Sequence, residues 1–192
     1  MALMAQSSKF VEIIEAIAKL QNNYAQSVVC IDGPAGSGKT TLAGIISSKF
    51  ESVNVVHMDD LYDGWVTPLN SELYSRITSQ IIEPHLKKEP AVYDVFNWWK
   101  HAFDHKDHLE IQKTLVIEGV GAAGSEVRKF ADLTVFVEVS AELGLERVLS
   151  RDGLGIVNEM QSWQKMESAH FNLDQTKKAA DFVVDGSLEL DY

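Results

Sequence analysis

The stretch Gly33-Pro34-Ala35-Gly36-Ser37-Gly38-Lys39-Thr40 matches the pattern G-x-x-x-x-G-K-[S/T]. It lies between a short apolar run, residues 27–31, and a segment with helical spacing that starts at residue 39. This pattern constrains the fold more than any other in the chain. Its glycines let successive backbone N–H groups curl round a phosphate, provided that a strand feeds the loop and a helix leaves it. The helix then turns its positive N-terminus to the same anion. Lys39 has the reach for the outer phosphates of a nucleotide, and the Thr40 hydroxyl is a suitable Mg2+ ligand. The expected phosphate-holding set is Gly33, Ala35, Gly36, Ser37, Gly38, Lys39, Thr40 and Thr41.

The run Ser27-Val28-Val29-Cys30-Ile31 is apolar on both faces, as in strands buried within a parallel sheet. Similar runs recur at 53–57, 114–118, 133–139 and 181–185. Helical patterns fill the intervals at 39–50, 70–87, 126–130, 141–151 and about 159–180, and a further one spans 8–23 with Ser7 or Ser8 as its cap. Alternating strands and helices predict an α/β three-layer sandwich, a parallel sheet of about five strands with helices on both faces. The most charged interval, 100–113, is expected to be the least ordered.

At 192 residues the chain is expected to form one domain. Its 17 basic and 28 acidic residues give a net charge of −11, which disfavours nucleic acid polymers and anionic membranes as partners. An anionic ligand therefore needs a locally prepared pocket. A single cysteine, Cys30, fits a reducing cytoplasm. No signal peptide and no membrane span are expected.

Further candidates follow the strands, where open α/β sheets bind ligands. After residues 53–57 comes His57-Met58-Asp59-Asp60-Leu61-Tyr62, where one carboxylate can orient an acceptor hydroxyl and take its proton. Glu118, ending the run 114–118, suits a second Mg2+ contact. Arg147 and Arg151 are four apart, so they share a helix face and can balance charge on a transferring phosphoryl group. Tyr62, Trp65, Tyr93 and Trp98 are expected to flank the crevice as aromatic faces for a planar acceptor, with Asp60 and Asp94 beside them. Trp98 and Trp99 equally suit a sheet edge or a homodimer surface. Asp32 is read as a loop brace and His57 as a packing residue. His101, Asp104, His105 and His108 are read as a solvated helix or loop rather than a metal site.

With these residues in view, the chain resembles the uridine kinase and phosphoribulokinase group of P-loop kinases over residues 27–152. The resemblance rests on the phosphate loop, on Asp59 to Tyr62, on Pro90 to Asp94, on Glu118-Gly119 and on Arg147 to Asp152. It implies an ATP- and Mg2+-dependent transfer of the γ-phosphoryl group to a small-molecule hydroxyl. Asp59 would be the base, Tyr62 and Tyr93 would line the acceptor pocket, and Arg147 with Arg151 would stand at the base of a lid near 152–165. Trp98 stands where uridine kinases carry a histidine, and Lys165 is the cation left in the lid.

Two other readings remain open at this point. Residues 31–39 also resemble cytidylate kinase, a nucleoside monophosphate kinase. Between 58 and 98, however, Arg76, Lys87 and Lys88 are the only lysines or arginines available for a charged acceptor. A nucleotide-binding switch is the third reading. Guanine-specific switches carry N-K-x-D after a strand, where this chain has Ser140-Ala141-Glu142-Leu143.

Overall fold

The computed structural model describes residues 2–188. A long helix, α1 (Ala2–Asn23), precedes β1 (Ser27–Asp32), the phosphate loop and α2 (Lys39–Lys49). β2 (Val53–His57) ends in a single 3-10 turn, Met58–Asp60. The next helical stretch comprises α3 (Ser71–Arg76), a wide π-helical stretch Ile77–Ile82 and α4 (Glu83–Lys87). A hairpin of β3 (Ala91–Asn97) and β4 (Ala102–Leu109) follows, then β5 (Thr114–Glu118) and α5 (Ser125–Arg128). The chain continues through β6 (Leu133–Glu138), α6 (Ala141–Asp152), a 3-10 turn Leu154–Ile156, α7 (Val157–Asp174), α8 (Thr176–Ala179) and β7 (Phe182–Asp185).

The five apolar runs form one parallel sheet in the order β2-β5-β1-β6-β7. β1 lies at its centre, and side-chain alternation sends its residues to two cores. Val28 and Cys30 join the core beneath α3, α5 and α7, whereas Val29 and Ile31 join the core beneath α1 and α2. Both faces are covered, as a parallel sheet requires. Ile13 and Ile17 of α1 are fully buried in the second core, each contributing roughly 1.5–3 kcal/mol of apolar burial.

Three expectations are corrected. α1 starts at Ala2, so Ser7 and Ser8 lie within it and do not cap it. The helix expected over 159–180 breaks at Gln175, whose φ of 52° interrupts the hydrogen-bond ladder between α7 and α8. The interval 100–113 is largely a strand: β4 pairs antiparallel with β3, Tyr93 opposite Asp107 and Asp94 opposite Lys106. His101 precedes β4, and Asp104, His105 and His108 lie along its exposed length. Among the described residues no cluster of three or more His, Cys, Asp or Glu is placed to hold a metal. No helix among the described residues is long and apolar enough to cross a membrane.

Candidate active site

The loop from Gly33 to Thr40 connects β1 to α2 and rests on its neighbours without room for a side chain at Gly33 or Gly36. Gly33 has φ 141°, and a Cβ there would collide with the Val137 carbonyl of β6. Gly36 has φ 75° and abuts the Gly144 carbonyl of α6 in the same way. Only glycine fits these positions. Asp32 braces the loop, as expected. Its Oδ1 accepts from the N–H groups of Gly33 at 2.7 Å and Gly121 at 2.9 Å, and its Oδ2 accepts from Ala123 at 2.8 Å. Burial pushes this carboxyl up while those three donors pull it down.

Lys39 opens α2 and is buried, with Nζ donating to the Pro34 carbonyl at 2.7 Å. Burial lowers its pKa, and Glu118, Asp32, Asp59 and Glu167 oppose that effect. The Thr40 hydroxyl donates to Oε1 of Glu118 at 2.9 Å. His57, at the end of β2, reaches the same oxygen through Nδ1 at 2.6 Å. That bond raises the pKa of the half-exposed His57 ring. His57 is thus not a packing residue but the partner of the carboxylate one strand away, because β2 and β5 put His57 in register with Glu118. The oxygens of Thr40 and Glu118 converge beside Lys39 and are hard donors, so they fit Mg2+, which takes a few protein oxygens and keeps several waters.

A cavity of about 690 Å³ opens in front of the loop. Ala35, Gly36, Gly38, Lys39, Thr40 and Thr41 of the glycine-rich loop form one end, with Glu118 and Asp59 beside them. Asp59 has solvent access through the cavity, yet the surrounding protein is dense enough that desolvation is the main cause raising its pKa. Arg147 and Arg151 of α6 line one side. Arg147 Nη1 donates to the carbonyls of Gly36 at 3.2 Å and Gly186 at 2.7 Å, which ties the loop to the end of β7. Arg151 pairs with Asp152 through two bonds of 2.7 Å.

The opposite wall is aromatic. Tyr62, Trp65, Trp98 and Trp99 line it together with Trp163 of α7. Trp65 lies tilted against Trp98 with centroids 5.1 Å apart, and Trp163 meets Tyr62 edge-on at 4.9 Å. The Trp98 indole N–H donates to the Asp59 carbonyl at 2.9 Å, fastening the hairpin to the 3-10 turn after β2. Trp99 stands at the rim and is 96% exposed.

The structure therefore gathers Lys39, Thr40, Asp59, Glu118, Arg147, Arg151, Tyr62, Trp65 and Trp98 around one cavity. It does not bring Asp60, Tyr93 or Asp94 there. Asp60 turns towards the electrostatic surroundings of His57, His105 and Asp107. Tyr93 is buried in the hairpin and donates to Asp107 at 3.3 Å. Asp94 accepts from Gln80 at 2.8 Å and from Lys106 at 3.3 Å, clamping the hairpin to the π-helical stretch. Tyr62 is a wall only: its hydroxyl is committed to the Val120 carbonyl at 2.7 Å. Gly33 and Ser37 shape the loop from within, Ser37 being 1% exposed.

Sequence reasoning missed Glu167, which accepts from the Ala35 N–H at 3.0 Å. Its signal was present in the spacing: Met160, Trp163 and Glu167 form the buried stripe of α7, which places a carboxylate on an apolar face.

A parallel sheet in this order, with a phosphate loop leaving its central strand and Glu118 ending the strand beside it, has the fold of the P-loop kinases. Solved structures bear this out. A possible uridine kinase from Bacillus stearothermophilus superposes with a TM-score of 0.67 at 22% identity, covering 93% of this chain and 98% of that one. A candidate fructose transport system kinase from Silicibacter sp. TM1040 gives 0.54 at 17% identity, over 91% and 98% of the two chains. TT1252 from Thermus thermophilus gives 0.50 at 17% identity, over 84% and 89%. No protein-family model matches the chain, and no curated protein matches it by sequence.

Proposed function

We propose that this chain is an ATP- and Mg2+-dependent kinase, working as one domain, that transfers the γ-phosphoryl group to a hydroxyl of a small, uncharged, nucleoside-like acceptor. The observation that carries this reading is one cavity shared by two unlike halves. A cationic, backbone-lined end holds Lys39 and the Thr40–Glu118 pair, and an aromatic wall stands across from it with Asp59 between them. Thr40 and Glu118 would hold Mg2+, which when bound would supply charge neutralisation for the phosphates. The loop's N–H groups and Lys39 bind and orient the donor. Asp59 accepts the proton of the acceptor hydroxyl, and its raised pKa suits a group that must take up a proton. Arg151 adds positive charge at the mouth; of the expected lid 152–165, the largely exposed turn Leu154–Ile156 is the part free to close, since Met160 and Trp163 pack into the core. Little covalent help is needed, because positioning and electrostatic stabilisation dominate phosphoryl transfer.

Of residues 58–98, those lining the cavity are Asp59, Tyr62, Trp65 and Trp98; Arg76, Lys87 and Lys88 are not among them, which supports an uncharged acceptor over a nucleoside monophosphate. ADP release measured against nucleosides, nucleoside monophosphates and sugars, with a no-acceptor control, tests this reading. Turnover that depends on a nucleoside or similar neutral hydroxyl compound supports it. Turnover with monophosphates alone favours the cytidylate-like alternative, and acceptor-independent hydrolysis favours the switch.

A further inference from the structure

Glu167 is 3% exposed, and its Oε2 accepts from the Ala35 N–H at 3.0 Å. The Trp163 side chain, one turn earlier on α7, hydrogen-bonds the same carboxyl. Ala35 belongs to the phosphate loop and lines the cavity beside Gly36 and Lys39. One backbone donor of the loop thus already holds an anion that belongs to the protein. The charged groups facing Glu167 are Lys39 at the start of α2 and Asp32 at the end of β1. Lys39 is also the cation on which the proposed nucleotide depends. A carboxylate and a triphosphate would share a single buried lysine.

We propose that Glu167 is a proton-linked positioning residue for the nucleotide: as an anion it fastens the phosphate loop to α7, and it takes up one proton from solvent when a triphosphate enters. The inference rests on the nucleotide-binding reading above. Its cause is like-charge repulsion in a desolvated loop, which favours the neutral form of the carboxyl. The neutral acid still accepts the Ala35 N–H through its carbonyl oxygen, so the loop keeps its shape when the proton arrives. Burial has already pushed the carboxyl up to about 7, so the free protein is poised for the change near neutral pH. Because the bound form holds the proton more tightly, affinity falls as pH rises.

Calorimetric titration of the full chain with ATP at saturating Mg2+, in buffers of different ionisation enthalpy near pH 7, tests this. Net proton uptake is expected, together with a Kd that weakens roughly three- to tenfold between about pH 6 and pH 8. Glu167→Gln mimics the neutral acid and is expected to lose both effects, with the shift in the KM for ATP and none in the KM for the acceptor. The comparison of variant with wild type removes any contribution from the His57–Glu118 pair. A flat wild-type Kd without proton uptake overturns the inference, and so does full uptake by folded Glu167→Gln. If that variant does not fold, His57→Asn takes its place as the comparison: uptake that persists without the His57 imidazole supports the inference, and uptake lost with it overturns the assignment to Glu167. Failure of the wild type to bind ATP at all overturns the nucleotide reading itself, and the inference with it.

Discussion

Thr40 and Glu118 meet side chain to side chain at 2.9 Å, although 78 positions separate them in the sequence. Parallel pairing of β1 with β5 makes this possible, since both strands deliver their carboxyl ends to the same edge. Glu118→Gln keeps the size and the acceptor oxygen but loses the charge. It is expected to raise the Mg2+ concentration for half-maximal turnover by at least about tenfold, the low end of the cost of disturbing a metal's supporting groups. A Mg2+ titration of turnover, with melting as the folding control, checks this.

Lys39→Ala is expected to reduce phosphoryl transfer by at least about 10²-fold, the scale on which a single preorganised charge stabilises a transition state. The fold should survive, because Lys39 packs at the cavity edge and belongs to neither apolar core. Turnover and circular dichroism measured on the same preparation separate the two effects.

Asp59 lines the cavity and Asp60 does not. Asp59→Asn should lower kcat by about 10²–10⁴-fold with little change in ATP binding. Asp60→Asn should leave kcat near the wild-type value. Steady-state kinetics of both variants would reverse the assignment if Asp60→Asn were the more damaging.

Trp98 bridges the hairpin and the aromatic wall, meeting Trp65 at a tilt of 59° and holding the Asp59 carbonyl. Trp98→Ala is expected to raise the acceptor KM by about 2–10-fold, the worth of one aromatic contact, and to leave the ATP KM unmoved. Tyr93→Phe and Asp94→Asn should move neither KM. A true acceptor should also perturb tryptophan fluorescence saturably.

Glu167 has an ordinary pKa of 4.5 that burial raises to about 7. The folded protein therefore binds more protons than the unfolded chain across that interval, and its stability falls as pH rises through it. The shift corresponds to at most about 3 kcal/mol. Urea unfolding at about pH 5 and about pH 7.5 should show the loss in the wild type, and Glu167→Gln should flatten it.

The five sheet strands were legible because each is a short run apolar on both faces, and the phosphate loop because its glycines leave no alternative. β4 was not legible. Phe103, Asp104, His105, Lys106, Asp107 and His108 are all exposed, so no buried face imprints an alternating pattern on the strand. Once β4 is missed, Tyr93 and Asp94 look like pocket residues, since nothing local reveals that Asp107, Lys106 and Gln80 engage them. Asp59 and Glu118 were readable from their places at strand ends. The bond from His57 to Glu118 was not, because it depends on the register between β2 and β5.

The packing of the phosphate loop also dictates an order of events at the ribosome. Gly33 backs onto the Val137 carbonyl, Gly36 onto that of Gly144, and Gly186 lies against Ser37. β1 itself pairs with strands that begin at Thr114 and Leu133. A nascent chain ending near residue 110 therefore carries the whole glycine-rich sequence without the surfaces that mould it. Contacts of such long sequence separation form late and slowly. The moulded shape of the loop is consequently expected only from the last part of synthesis, and stalled or truncated chains should emerge with the signature intact and the shape absent.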